Sequence, residues 1–214
     1  MPRFTSAVVR SQIQLAGTLL AMVTIRPTVL SLIVLLVWWT ITFWPLRPRE
    51  ITLFFLACVF FTVMNFVTLQ QGIFSFTEQD ILGMPYFELG MWGFYLLHTL
   101  RTVRGTAPKL SLLPTLTLAL LLAVTFSTVH GDTQLTLTSL AVICGGFVLY
   151  HERFDLLYAG YMIYLGAIIE YTGVHTGMWS YPAHPPGGVP LWFVTLWGGI
   201  GLILRRLVVP LVHA

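Results

Sequence analysis

Charge is scarce in this chain. Only 9% of its 214 residues are Asp, Glu, Lys or Arg, and Lys109 is the single lysine. Soluble domains devote about a quarter of their residues to charge, so a water-exposed globular surface is excluded. No basic cluster alternates with exposed polar sequence, which excludes nucleic acid as a partner. Cysteine is nearly missing as well: Cys58 and Cys144 both fall in apolar segments, where a thiol behaves as a small hydrophobe, so neither a disulfide framework nor a zinc site is indicated. A retinal Schiff base needs a lysine within the bundle, and Lys109 lies between apolar segments. There is no Gly-rich phosphate loop, Cys-x-x-Cys pair, nucleophile elbow or aspartate-rich diphosphate site, so no nucleotide or redox cofactor is expected. His175 and His184 lack a His-x3-His or Glu-x2-His helix pattern, and no metal is expected either.

What fills the chain instead is apolar. Hydrophobic residues make up 57% of it, and its mean hydropathy is +0.84. An all-α integral membrane protein follows, since a bilayer core needs about 20 apolar residues per helix. Seven segments read as spans: 28–44, 51–69, 84–100, 110–127, 134–150, 154–173 and 189–204. Crossing in that order places Arg47, Arg49, Arg101, Arg104, Lys109, Arg153, Arg205 and Arg206 on one side, the cytoplasmic one by the positive-inside rule. The C-terminus is then inside, and the Lys- and Arg-free segments "QGIFSFTEQDILG" and "STVHGDT" face outward. A bacterial inner membrane suits this pattern. Residues 7–25, "AVVRSQIQLAGTLLAMVTI", are either an interfacial helix or an eighth span: Arg10, Gln12 and Gln14 penalise insertion, yet insertion would bring Arg3 and Arg10 to the basic side.

Residues 72–101 align without a gap on residues 177–206. Gly72, Ser75, Gly83, Pro85, Trp92, Gly93, Leu97 and Arg101 match Gly177, Ser180, Gly188, Pro190, Trp197, Gly198, Leu202 and Arg206, and Glu50 matches Asp155. The constant offset pairs spans one to three with spans five to seven and leaves the fourth as a connector. Equivalent helices are four crossings apart, so the two halves run parallel, related by an axis along the membrane normal. The expected organisation is an N-terminal helix (1–27), a first three-helix repeat (28–101), a linker helix (102–132), a second repeat (133–206) and a cytoplasmic tail (207–214). In each copy Gly-x-aromatic-Ser-aromatic leaves one helix as a folded turn, and Gly-x-Pro opens the next with Pro near its first turn. The aromatics there suit the headgroup level.

Two carboxyls, Glu88 and Glu170, lie within spans near their outer ends. An ionisable residue at such depth is costly unless it faces a cavity or a partner, which makes each a candidate functional group; snorkelling, or a bond to a nearby Trp or Tyr, is the structural alternative. Asn65 and Phe193 hold the positions equivalent to Glu170 and Glu88, so the carboxyls mark places where the halves differ. A carboxyl pair can donate a proton to an alkene and later accept one. Aromatic faces from Phe74, Tyr86, Phe87, Tyr171, Trp179, Tyr181 and Trp192 could stabilise a carbocation between those steps, with Asn65 and His175 as further substrate-binding candidates. Packing within the membrane is the competing reading for each aromatic. His98, Arg101 and Arg104 cluster at the cytoplasmic end of span three, where basic groups suit a helix C-terminus and anionic headgroups.

The stretch "FSFTEQDILGMPYFE" (74–88) resembles the membrane lycopene cyclase domain, which occurs as tandem three-helix units, and "EYTGVHTGMWSYP" with "GGVPLW" (170–182, 187–192) resembles the carotenoid hydratase family. The resemblance implies cofactor-independent, proton-initiated cyclisation or hydration of an isoprenoid end, with Glu88 and Glu170 as the functional carboxyls. This chain has a single acidic residue after the proline in the first copy and Leu-Trp-Phe in the second, where the cyclase pattern has paired acids. The expected partner is therefore a membrane lipid or isoprenoid substrate, with no cofactor. The other reading is a non-enzymatic transporter or binding protein, since parallel three-helix repeats with a connector also occur in transporters.

Overall fold

The computed structural model describes residues 2–182 and 186–213. It is all-helical apart from one short ladder, in the order α1 (Pro2–Thr24), α2 (Thr28–Thr42), α3 (Pro48–Gln70), β1 (Ser75–Phe76), α4 (Glu88–Thr102), α5 (Leu112–Thr128), α6 (Asp132–Leu149), α7 (Arg153–His175), β2 (Trp179–Ser180), α8 (Trp192–Ile203) and α9 (Val209–His213). A π-helical segment, Leu204–Val208, joins α8 to α9 without a break. Residues 207–213, expected as a tail, therefore continue the last helix. Two units divide the chain: residues 1–102 with 172–182, and residues 103–171 with 183–214.

In the first unit, α1 carries polar residues at helical spacing on one buried face, and each finds a partner. Gln14 Nε2 donates to Thr42 Oγ1 at 2.7 Å, and His98 Nδ1 meets Gln14 Oε1 at 2.9 Å. Ser11 Oγ lies 2.6 Å from Thr102 Oγ1, and Trp39 Nε1 donates to Thr18 at 3.0 Å. Arg10 donates to the Thr42 carbonyl at 2.8 Å. Gln14, which penalised insertion on paper, thus faces protein rather than lipid. The bonds to Thr42, Trp39, His98 and Thr102 run α1 antiparallel to α2 and α4. His98 is fully buried in this network, which corrects its placement among interfacial basic groups.

α3 ends in a glycine-terminated cap. Gly72, at φ 68°, lets its amide reach the Leu69 carbonyl (3.0 Å) while Ile73 N reaches Thr68 O (3.2 Å). The end of α7 repeats this 105 residues later: Gly177 has φ 70°, with Gly177 N to Val174 O at 3.1 Å and Met178 N to Gly173 O at 2.8 Å. A residue with a Cβ resists such a left-handed position, so glycine ends both helices. The segments then pair with each other: β1 and β2 are antiparallel, with Ser75 opposite Ser180 and Phe76 opposite Trp179. Thr77 Oγ1 donates to the Gly177 carbonyl at 2.6 Å.

A two-residue hairpin follows β1. Ile81 and Met84 exchange both backbone bonds (3.0 and 2.9 Å), and both central residues have positive φ, Leu82 at 53° and Gly83 at 79°. This is the turn that matches strand twist, and it ordinarily selects Asn-Gly or Gly-Gly. That pair occurs 105 residues later as Gly187 (φ 77°) and Gly188 (φ 80°). Because the hairpin occupies residues 81–84, α4 starts at Glu88, later than the span expected from residue 84. Pro85 and Pro190 sit in the turn before their helices, where their carbonyls accept from Glu88 N and Phe193 N, each at 3.1 Å.

The second unit packs α8 against α5, α6 and α7 through small residues. A Cβ on Gly201 would come within 2.6 Å of the Tyr158 carbonyl oxygen, and one on Gly199 within 2.7 Å of Leu122, so glycine permits backbone approaches that larger residues would block. Ser139 and Thr195 bridge α6 and α8 at 2.7 Å, and Thr115 and Tyr150 share a bond of 2.9 Å. Among the described residues, Pro48–Gln70, Asp132–Leu149 and Trp192–Val212 are long and apolar enough to cross a membrane; Thr28–Thr42 and Leu112–Thr128 are apolar but shorter.

Candidate functional site

The two candidate carboxyls fall in different units, each with its own partner. In the first unit Glu88, the first residue of α4, is 8% exposed and accepts from Asn65 Nδ2 of α3 at 2.8 Å. A carboxyl oxygen accepts in this way whether or not the group is protonated, so the bond orients the side chain without fixing its charge. One turn further along α4, Trp92 stacks on Phe61 with ring centroids 4.0 Å apart and planes 8° from parallel. The Cys58 thiol contacts the Gly90 carbonyl at 3.8 Å.

The same positions in the second unit carry different chemistry. Glu170, at Asn65's equivalent, accepts from Trp197 Nε1 at 3.2 Å and is half-buried. Gly166, at Phe61's equivalent, leaves room for that indole: a Cβ there would lie 2.4 Å from two Trp197 ring carbons. Phe193, at Glu88's equivalent, packs edge-on against Tyr171 at 6.2 Å. In each unit one carboxyl is thus held by a neutral donor on the opposing helix.

The aromatic candidates divide likewise. Phe74, Trp179 and Tyr181 gather around the short ladder: Phe74 lies 6.1 Å from Tyr181 and 5.3 Å from Phe76, which meets Trp179 edge-on at 5.8 Å. Trp179 also fills the space over Gly173, where a Cβ would lie 2.0 Å from the indole. Phe87 is buried beside a cleft that Arg26, Thr28, Glu78 and Thr176 also line. Trp192 donates to Asp132 at 3.2 Å and packs on Phe126, a supporting role for α6 and α8. Tyr171 and His175 are exposed. His184 lies outside the described residues. No group of three His, Cys, Asp or Glu side chains suited to a metal occurs among the described residues.

Two further ionisable clusters sit at equivalent places at the starts of α3 and α7. Arg101 donates from Nε to Glu50 Oε1 at 2.9 Å and from Nη2 to Oε2 at 2.5 Å, and reaches the Phe43 and Pro45 carbonyls. Arg206 grips Asp155 in the same bidentate way, through Nε to Oδ1 at 2.7 Å and Nη2 to Oδ2. Both carboxylates also accept a backbone N–H three residues before them, from Arg47 (2.8 Å) and Glu152 (2.9 Å). Arg101 is therefore committed inward, rather than to headgroups as the sequence suggested. The signal was available: matched acid and base pairs at one offset predict matched bonds.

Comparison with family models, with curated proteins and with solved structures finds no match for this chain.

Proposed function

We propose that this chain is a polytopic membrane enzyme acting on an apolar polyprenoid, by proton-initiated cyclisation or hydration without a redox cofactor, with Glu88 and Glu170 as acid and base. The observation that carries the reading is Glu88: a buried carboxyl, oriented by an amide, within one helical turn of a stacked aromatic pair, in a chain with few other charges to spare. Asn65 positions the acid, and Phe61 and Trp92 offer aromatic surface near it. The quoted likeness to cyclase and hydratase segments points to the same chemistry.

The membrane arrangement that goes with it has eight spans in two parallel three-helix repeats, with α1 added before the first and α5 as linker. Support comes from the inward polar face of α1 and from the glycine caps, positive-φ turn positions and arginine clasps that recur at one offset. Arg3 and Arg10 then join the other basic residues on the cytoplasmic side; Arg26, in the α1–α2 turn, departs from the charge rule.

The test is mass spectrometry of isoprenoids extracted from a carotenoid-producing host expressing the chain, beside Glu88→Gln and Glu170→Gln. A cyclised or hydrated product should accumulate with wild type and vanish in both variants. Extracts indistinguishable from the empty-vector control would refute the reading. A second reading, a small-molecule transporter or binding protein, is favoured by the equivalent Glu50–Arg101 and Asp155–Arg206 clasps, which suit halves that keep their form while moving. It requires uptake without a new chemical species, tested in proteoliposomes.

A further inference from the structure

Away from the carboxyls, the first unit carries an apolar groove between α2 and α3, near the loop that joins them. Trp39, Phe43 and Leu97 of α4 form its buried floor, and Leu36, Ile51 and Phe55 its exposed rim. Its volume is about 180 Å³, below the roughly 300–1,000 Å³ of sites that enclose a whole small molecule, so it suits part of a narrow chain lying along an open surface. The polar atoms of its walls are already used: Thr40 donates to the Leu36 carbonyl at 2.7 Å, and Trp39 Nε1 to Thr18. A hydrocarbon chain fits such a surface.

The end of the groove at the loop is positive. Arg47 and Arg49 are exposed beside the lining residues Leu46 and Ile51, while Glu50 between them is turned inward onto Arg101. The same loop exposes Trp44, a residue suited to headgroup depth. We infer that the groove seats one acyl chain of an anionic phospholipid of the adjoining leaflet, its phosphate held by Arg47 and Arg49. An uncharged lipid would find the apolar wall alone, and hydrocarbon offers that wall everywhere in the bilayer; the paired arginines supply the selectivity. This inference does not depend on the catalytic reading, and its assay measures no turnover.

Native mass spectrometry of the full chain, purified in detergent and supplied with phosphatidylglycerol or phosphatidylcholine of identical chains, tests it. Wild type should retain phosphatidylglycerol on the order of tenfold better, as expected from two basic residues at a surface. The double change Arg47→Gln and Arg49→Gln, both at exposed positions, should abolish the preference. Leu36→Trp, on the rim, should lower retention of both lipids, with circular dichroism confirming that the helices remain. Equal retention of the two lipids, a preference that survives loss of both arginines, or a lipid-free dimer closing the groove would each overturn the assignment.

Discussion

Removing Asp155 and Arg206 together should cost far less than removing either alone. Asp155 is fully buried and Arg206 is 7% exposed. Breaking a buried, hydrogen-bonded pair costs roughly 3–5 kcal/mol because one charge is left without its partner, whereas replacing both by apolar residues is often neutral. Asp155→Leu leaves Arg206 with Glu152 at 3.1 Å, but that carboxylate is 58% exposed and a weak substitute. Arg206→Met strands Asp155 with a backbone amide and with Arg205 Nε at 4.0 Å, and it also removes the guanidinium from the Tyr150 ring, 4.6 Å away. The arginine change should therefore be the worse of the two, by about 1 kcal/mol. The double variant should lie within about 1 kcal/mol of wild type. Reversible unfolding in bicelles would supply the four stabilities of the cycle. Changes that add to within about 0.5 kcal/mol would refute the reasoning, and so would a larger coupling at Glu50–Arg101, where the arginine side chain is 26% exposed.

Other outcomes follow from single positions. Gly166→Ala pushes a methyl into Trp197 and should destabilise by about 1–3 kcal/mol, read as a lowered thermal midpoint; no change would mean the indole moves freely away. Leu82→Gly, which places at this hairpin the residue found 105 positions later at Gly187, should stabilise by about 1 kcal/mol, since a left-handed leucine costs roughly 1–2 kcal/mol; a lower midpoint would contradict it. Gln14→Leu withdraws the acceptor from buried His98 and should cost about 1–3 kcal/mol; a neutral effect would show that His98 does not need it. Asn65→Leu should lower turnover less than Glu88→Gln while leaving product identity unchanged, by the same isoprenoid assay; equal and complete loss would make Asn65 more than a positioning residue.

Much of this was legible because Gly, Pro and Trp constrain the backbone so specifically. Their coincidence at one offset announced the paired caps at Gly72 and Gly177 and the paired turns at Gly83 and Gly188. The helical segments followed from apolar length. What escaped was tertiary. Aromatic-Ser-aromatic is a period of two, the signature of a strand, but three residues are too few to outweigh a turn, so the β1–β2 pairing was not foreseen. His98 and Arg101 read as an interfacial basic patch, because a linear sequence does not reveal that Gln14, Ser11 and Glu50 wait on other helices. Glu88 and Glu170 stood out as lone charges in apolar runs, yet their partners Asn65 and Trp197 were visible only once the helices had been packed.

Ser75 pairs with Ser180, its own counterpart in the duplication proposed above. A segment that binds a copy of itself in antiparallel register is self-complementary, as the contact of an isologous twofold dimer must be. On that reading, a single ancestral polypeptide could associate through this tetrad of backbone positions before gene fusion joined two of them. On the same reading the copies have since diverged: Asn65 bonds to Glu88 where Glu170 bonds to Trp197, a difference that no homodimer could have encoded.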